Sequence, residues 1–172
     1  EHAWEKTTDE TTGTITTKLV APPQEAINKV GHAIHDLDEV FRHASYEPKL
    51  GGMLRDLGMR RPVIAQSMYI FKQPRIGGDV TPHQDGSYLF TTPQSVIGFW
   101  WALDRCTKEN GCLWAVPGSH TDGVQRQYRR VAEGSEVTTK TEYVPAEKEN
   151  FDLSAAVPLE IEAGTLGVLH HA

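Results

Sequence analysis

The sequence predicts an α+β chain, mainly β, in which a helical first third precedes an antiparallel sandwich or jelly roll. Two observations carry this. Ile27, Val30 and Ile34 recur at helical spacing behind Pro22-Pro23, and beyond Arg61 short apolar runs alternate with turn dipeptides such as Asn110-Gly111 and Pro117-Gly118. A third bounds the answer. With 172 residues, 38% hydrophobic and 23% charged, the composition is that of one soluble globular domain, 1–172, able to bury roughly two thirds of its unfolded surface.

Residues 1–21 form a poorly structured start, because the Thr-rich run 7–17 holds few apolar residues and reads as a loop, a loose hairpin or a remnant of a disordered stretch. Pro22-Pro23 then opens a helix with Ile27, Val30 and Ile34 on one stripe and Lys29, His32 and Asp36 on another. Short helices around 38–44 and 49–57, the second stopped by Gly58, complete a helical support over 22–60. The β core spans 61–172, with strands expected at 62–71, 80–85, 96–104, 113–116 and 164–170 and a turn at Gly77-Gly78. Within it the polar segment 122–150 exceeds ordinary loop length and reads as disordered or as a functional cover. Glu at position 1 and an apolar run stopping at Ala172 predict a fragment, truncated at both ends.

Several classes fall away. No window approaches the roughly 18 apolar residues of a membrane span, so no span is expected. A net charge of −6 without long Lys/Arg blocks argues against nucleic acid as an obligatory partner. Cys106 and Cys112 make no CxxC and no spaced metal set, which favours reduced thiols in an intracellular, cytoplasmic compartment.

Among eight histidines, spacing is the useful filter. In an extended strand residues i and i+2 share a face, so His-x-Asp presents an imidazole and a carboxylate side by side, a pair able to grip one metal. Composition predicts about 0.4 such matches by chance, and the chain has two, His83-Gln84-Asp85 and His120-Thr121-Asp122. The first ends an expected strand and the second follows the turn Pro117-Gly118-Ser119. A facial triad of two His and one carboxylate leaves three positions open on iron, so a further His is needed. His170 and His171 lie late on opposite faces of the last strand, with a core-edge histidine as the alternative reading.

The run Gln66 to Pro74, then Gly77-Gly78, Pro82-His83-Gln84-Asp85, Glu109 to Trp114 and Pro117-Gly118-Ser119-His120 resembles the phytanoyl-CoA dioxygenase family, closest to its domain-containing branch, over residues 22–172. The resemblance implies a double-stranded β-helix, cupin-like, and an Fe(II)- and 2-oxoglutarate-dependent dioxygenase that consumes O2 and releases succinate and CO2. It puts iron on His83 and Asp85 and leaves His120 in the turn. It puts 2-oxoglutarate on Lys29, Met68 and Trp100, whose bland readings are a solvated helix lysine, core filling and a core anchor. The family's third iron His, and an arginine for the far carboxylate, are expected beyond Ala172, and His170 matches a position before that ligand.

The substrate expected from the resemblance is a small, lipid-like or acyl-CoA-like molecule. Arg126, Arg129 and Arg130 in the polar segment are candidates to meet its phosphates. Two rivals stand beside this reading: a non-catalytic jelly-roll binding domain or inactive fragment, and a cupin-like isomerase or hydrolase using another divalent metal. Oligomeric state is left unassigned.

Overall fold

A computed structural model describes residues 4–9, 11–12, 14–19, 21–77, 79–134 and 136–170. His171 lies outside them, as do Gly78 of the expected glycine turn and the chain's first three residues. The chain divides into two compact units, Glu1–Gly78 and Asp79–Ala172. The described residues are β-rich, with ten strands paired as five antiparallel two-stranded ladders and a few short helices. No helix among them is long and apolar enough to cross a membrane.

In the first unit, the Thr-rich start is a hairpin of β1 (Trp4–Thr8) and β2 (Ile15–Leu19), Trp4 opposite Leu19 and Thr8 opposite Ile15. The helix expected behind Pro22-Pro23 is cut short. α1 (Pro23–Ala26) is one turn long, with Ile27 already extended at φ −69°, ψ 123°. The chain continues as β3 (Lys29–His32), paired with β4 (Ser67–Ile70) so that Lys29 faces Ile70 and Gly31 faces Met68. Four ladder positions across nearly forty residues outweigh a helical stripe of three apolar residues, whose local propensity is a weak force.

α2 (Ile34–Leu37) buries Ile34 and His35, whose Nδ1 and backbone N–H both meet Ser67 Oγ, at 2.6 and 3.0 Å. α3 (Glu39–Ser45) and α4 (Pro48–Asp56) match the two short helices expected. Asp38 caps α3 by accepting from the N–H groups of Val40 and Phe41 at 2.9 and 3.1 Å. Gly58, after α4, has φ +87°, a conformation glycine adopts without strain.

In the second unit, α5 (Asp85–Tyr88) stands where a strand over 80–85 was expected. β5 (Ile97–Trp101) and β6 (Leu113–Ala115) fall within their expected ranges. The segment 122–150 is neither disordered nor a plain loop. It holds a hairpin of β7 (Gln127–Glu133) and β8 (Glu136–Val144), with a bulge between Arg130 and Ala132, and β7 packs against α5. β9 (Val157–Leu159) pairs β6, and β10 (Leu166–His170) pairs β5 from Leu166 opposite Trp101 to His170 opposite Ile97.

Candidate functional site

His83 and Asp85 are presented by the turn into α5. Gln84 between them is extended, φ −113° and ψ 127°, so the flanking side chains emerge on one side although no strand forms. His83 Nε2 lies 3.4 Å from Asp85 Oδ1, and the two side chains are 39% and 35% exposed, open to a ligand. His83 Nδ1 is 2.8 Å from the Thr81 carbonyl. A carbonyl only accepts, so Nδ1 carries the proton and Nε2 of the neutral ring keeps its lone pair.

Lone pairs facing each other at 3.4 Å call for a positive charge. The His83 imidazole is raised above its ordinary range, first by the hydrogen bond to Asp85, against the opposing pull of burial, with the Thr81 carbonyl and the charges of Asp85 and Glu149 adding. A divalent metal fits the same donors. An imidazole nitrogen and a carboxylate oxygen share one side, and the far ring nitrogen is anchored to a backbone carbonyl as in metal-bound histidines. Among the described residues no third His, Cys, Asp or Glu completes a metal-holding group.

The β5–β10 ladder backs this corner. A Cβ on Gly98 would sit 3.6 Å from Asp85 Oδ2 and 3.4 Å from Leu169 Cβ, so the Asp85 carboxylate lies against that face. Trp100, two residues on, shares it, and its indole closes over Gly167, where a Cβ would lie 3.1 Å from Cε3. His170 belongs to the opposite face. Its ring meets that of His120 edge to face, centroids 5.1 Å apart. Lys29 and Met68 belong to the first unit, on one face of the β3–β4 ladder. Both are exposed, and Lys29 stands on a strand rather than a helix.

The polar segment holds Gln84, the residue between His83 and Asp85. Gln84 donates from Nε2 to the Gly123 carbonyl at 2.8 Å and accepts from the Gln125 N–H at 2.9 Å. Gln125 repeats the pattern on Asn150, donating to its carbonyl at 3.3 Å and accepting from its N–H at 2.9 Å. Arg126 forms an ion pair with Glu149, side chains 14% and 10% exposed, and lays its guanidinium 3.6 Å over the Tyr143 ring. For Glu149 burial pushes the carboxyl up, but the Arg126 hydrogen bond, its own backbone N–H and the Arg126 charge outweigh this and hold it below its ordinary value. Arg129 pairs with Glu142 at 3.1 Å. Two of the three arginines expected to meet phosphates are thus committed to carboxylates.

Sequence reasoning missed Tyr88, Tyr128, Tyr143 and Glu149. The Tyr88 ring stands 6.1 Å from His83, and the three tyrosine rings cluster tilted or edge-on, centroids 4.8 to 6.4 Å apart. Their signal, aromatic residues inside a polar run, has no fixed spacing.

A family model described as Phytanoyl-CoA dioxygenase (PhyH) matches residues 2–172. The phytanoyl-CoA dioxygenase of Arabidopsis thaliana is 47% identical over 153 residues, 89% of this chain and 52% of its own. Phytanoyl-CoA dioxygenase domain-containing protein 1 of Bos taurus is 46% identical over 153 residues, covering 88% of this chain and 52% of the relative. That of Danio rerio is 42% identical over 154, covering 89% and 52%. The chain spans about half the length of the curated relatives it matches.

Proposed function

This chain belongs to the phytanoyl-CoA dioxygenase family, and from that premise we propose that it carries the His-Asp part of the metal site of an Fe(II)- and 2-oxoglutarate-dependent dioxygenase. In the proposed reaction a substrate C–H, 2-oxoglutarate and O2 become the alcohol, succinate and CO2. The observation that supports it best is His83 Nε2 facing Asp85 Oδ1 at 3.4 Å, with the ring tautomer set by the Thr81 carbonyl.

Iron, when bound, supplies the oxygen activation that couples decarboxylation to hydroxylation. His83 and Asp85 hold it, and Thr81 orients the imidazole. Trp100, on the Asp85 face of the β5–β10 ladder, keeps water out. Lys29 is assigned to a 2-oxoglutarate carboxylate, where its ammonium offsets the charge, and Met68 to an apolar wall beside it. The third iron His and the cosubstrate's arginine are assigned to residues beyond Ala172. The proposal includes a double-stranded β-helix, jelly-roll architecture in one oxygenase domain. It also includes an intracellular setting, with Cys106 and Cys112 as free thiols.

The test is succinate formation from 2-oxoglutarate by the longest natural polypeptide containing this sequence, with Fe(II) and O2. Turnover lost in both His83→Ala and Asp85→Ala supports the reading. Unchanged turnover in either, or silence in a folded, iron-loaded protein, overturns it.

A further inference from the structure

Beside His83 stands Tyr88, 46% exposed, and beside Tyr88, ring centroids 5.7 Å apart, stands Tyr128, 40% exposed. Tyr88 closes α5, one helical turn after Asp85, with its ring 6.1 Å from that of His83. The Tyr88 ring is thus an aromatic neighbour of the His83–Asp85 corner. The phenol hydroxyls are already engaged, Tyr88 with Tyr143 at 3.1 Å and Tyr128 with Thr141 Oγ1 at 2.7 Å. Beyond these bonded hydroxyls, most of what the two rings offer a ligand is carbon surface.

The charges around them are internal. Arg126 lies between the Tyr143 ring and the Glu149 carboxylate, both partners of that ion pair at most 14% exposed. Drawing Arg126 away to hold a phosphate would strand Glu149 as an uncompensated, shielded charge. Arg129 is paired with Glu142, and only Arg130 of the three has no carboxylate within ion-pair distance among the described residues. An anion would also approach a chain of net charge −6.

We propose, resting on the oxygenase reading above, that Tyr88 and Tyr128 form a substrate-contacting wall that selects an uncharged alkyl or ring moiety at the His83–Asp85 corner rather than an anionic, phosphate-bearing one.

The test compares S-octanoyl-N-acetylcysteamine with octanoyl-CoA, the same acyl thioester without and with the phosphate-bearing carrier. Binding to the longest natural polypeptide containing this sequence is read by calorimetry and by the ring resonances of labelled tyrosines. The uncharged probe is expected to bind at least as tightly as octanoyl-CoA and to shift Tyr88 and Tyr128. Tyr88→Ala and Tyr128→Ala each weaken it about tenfold, the Phe variants keep its affinity because they keep the ring, and Arg130→Ala changes neither probe. Octanoyl-CoA bound tenfold tighter and lost in Arg130→Ala overturns the proposal. So does failure of the uncharged probe to bind, or its indifference to both Ala variants, or equal losses in the Phe and Ala variants. Co(II) titration of the wild type and His83→Ala tests the metal reading separately: weak Co(II) binding with intact probe binding overturns the oxygenase and leaves the wall standing.

Discussion

His83-Gln84-Asp85 and His120-Thr121-Asp122 share residue types and spacing, yet the molecule uses them oppositely. Around Gln84 the backbone is extended, so positions i and i+2 return to one side and the imidazole meets the carboxylate at 3.4 Å. Ser119–Thr121 instead form a 3-10 turn entered through Gly118 at φ +86° and left through Asp122 at φ −81°, ψ −8°. At three residues per turn, side chains two apart diverge. His120 then packs on His170, on the face of the β5–β10 ladder away from Asp85. A spacing rule carries chemistry only together with the backbone angles that it assumes.

The contrast breaks most directly through the histidines. His83→Ala or Asp85→Ala should lower succinate formation about a thousandfold, about 4 kcal/mol of barrier, while His120→Ala stays within about threefold, since its ring serves packing. Equal losses from both histidines, in initial rates at saturating iron, would erase the distinction.

Removing Arg126 should leave Glu149 without its cation and destabilise the fold by about 3 kcal/mol, read as a shift in urea midpoint. Arg129→Ala, at the more exposed pair with Glu142, should cost about 0.5 kcal/mol. The glycine after the first motif sharpens the comparison further. A Cβ on Gly86 would fall 2.6 Å from Gln94 Nε2 and 2.8 Å from Val124 Cγ2, so Gly86→Ala should cost about 2 kcal/mol and weaken Co(II) binding. Gly118→Ala meets no atom within 4 Å and pays only for its positive φ, about 1 kcal/mol, with Co(II) binding unchanged.

The smallest effect is acid sensitivity. The folded-state carboxyl of Glu149 lies below its ordinary value of 4.5, so its contribution is complete above the unfolded pKa and is lost as pH falls through the folded one. Stability measured from pH 6 to 3 should show the wild type's advantage over Glu149→Gln shrinking below about pH 4.5; a constant difference would mean that the pair with Arg126 contributes no net charge stabilisation.

Local chemistry was legible wherever a few adjacent residues settle the outcome. The short helix beginning near Asp38, Gly58 as a helix stop, and the short strands β5, β6 and β10 between turn signals needed no distant partner to be anticipated. The family blocks made His83 and Asp85 candidates, and the structure brings those two together. β3 was not legible, because Lys29–His32 become a strand by pairing with Ser67–Ile70, and the Ile27, Val30, Ile34 stripe gave no warning of it. The hairpin β7–β8 was hidden for a different reason. Its stabilising contacts are cross-strand and polar or aromatic, Arg129 on Glu142 and Tyr128 on Tyr143, so the segment carries no apolar alternation to count.

By itself the sequence determined the family, the β-rich class and the pair of residue types offered to a metal, because these depend on composition, ordered motifs and short-range turn chemistry. Tertiary structure alone decided how closely the His83–Asp85 pair meets, at 3.4 Å, and which face of the β5–β10 ladder receives Trp100 and which His170. It also decided that Arg126 is spent on Glu149. Each of these depends on backbone angles and on partners distant along the chain, where packing and charge pairing outweigh the small energies of local preference.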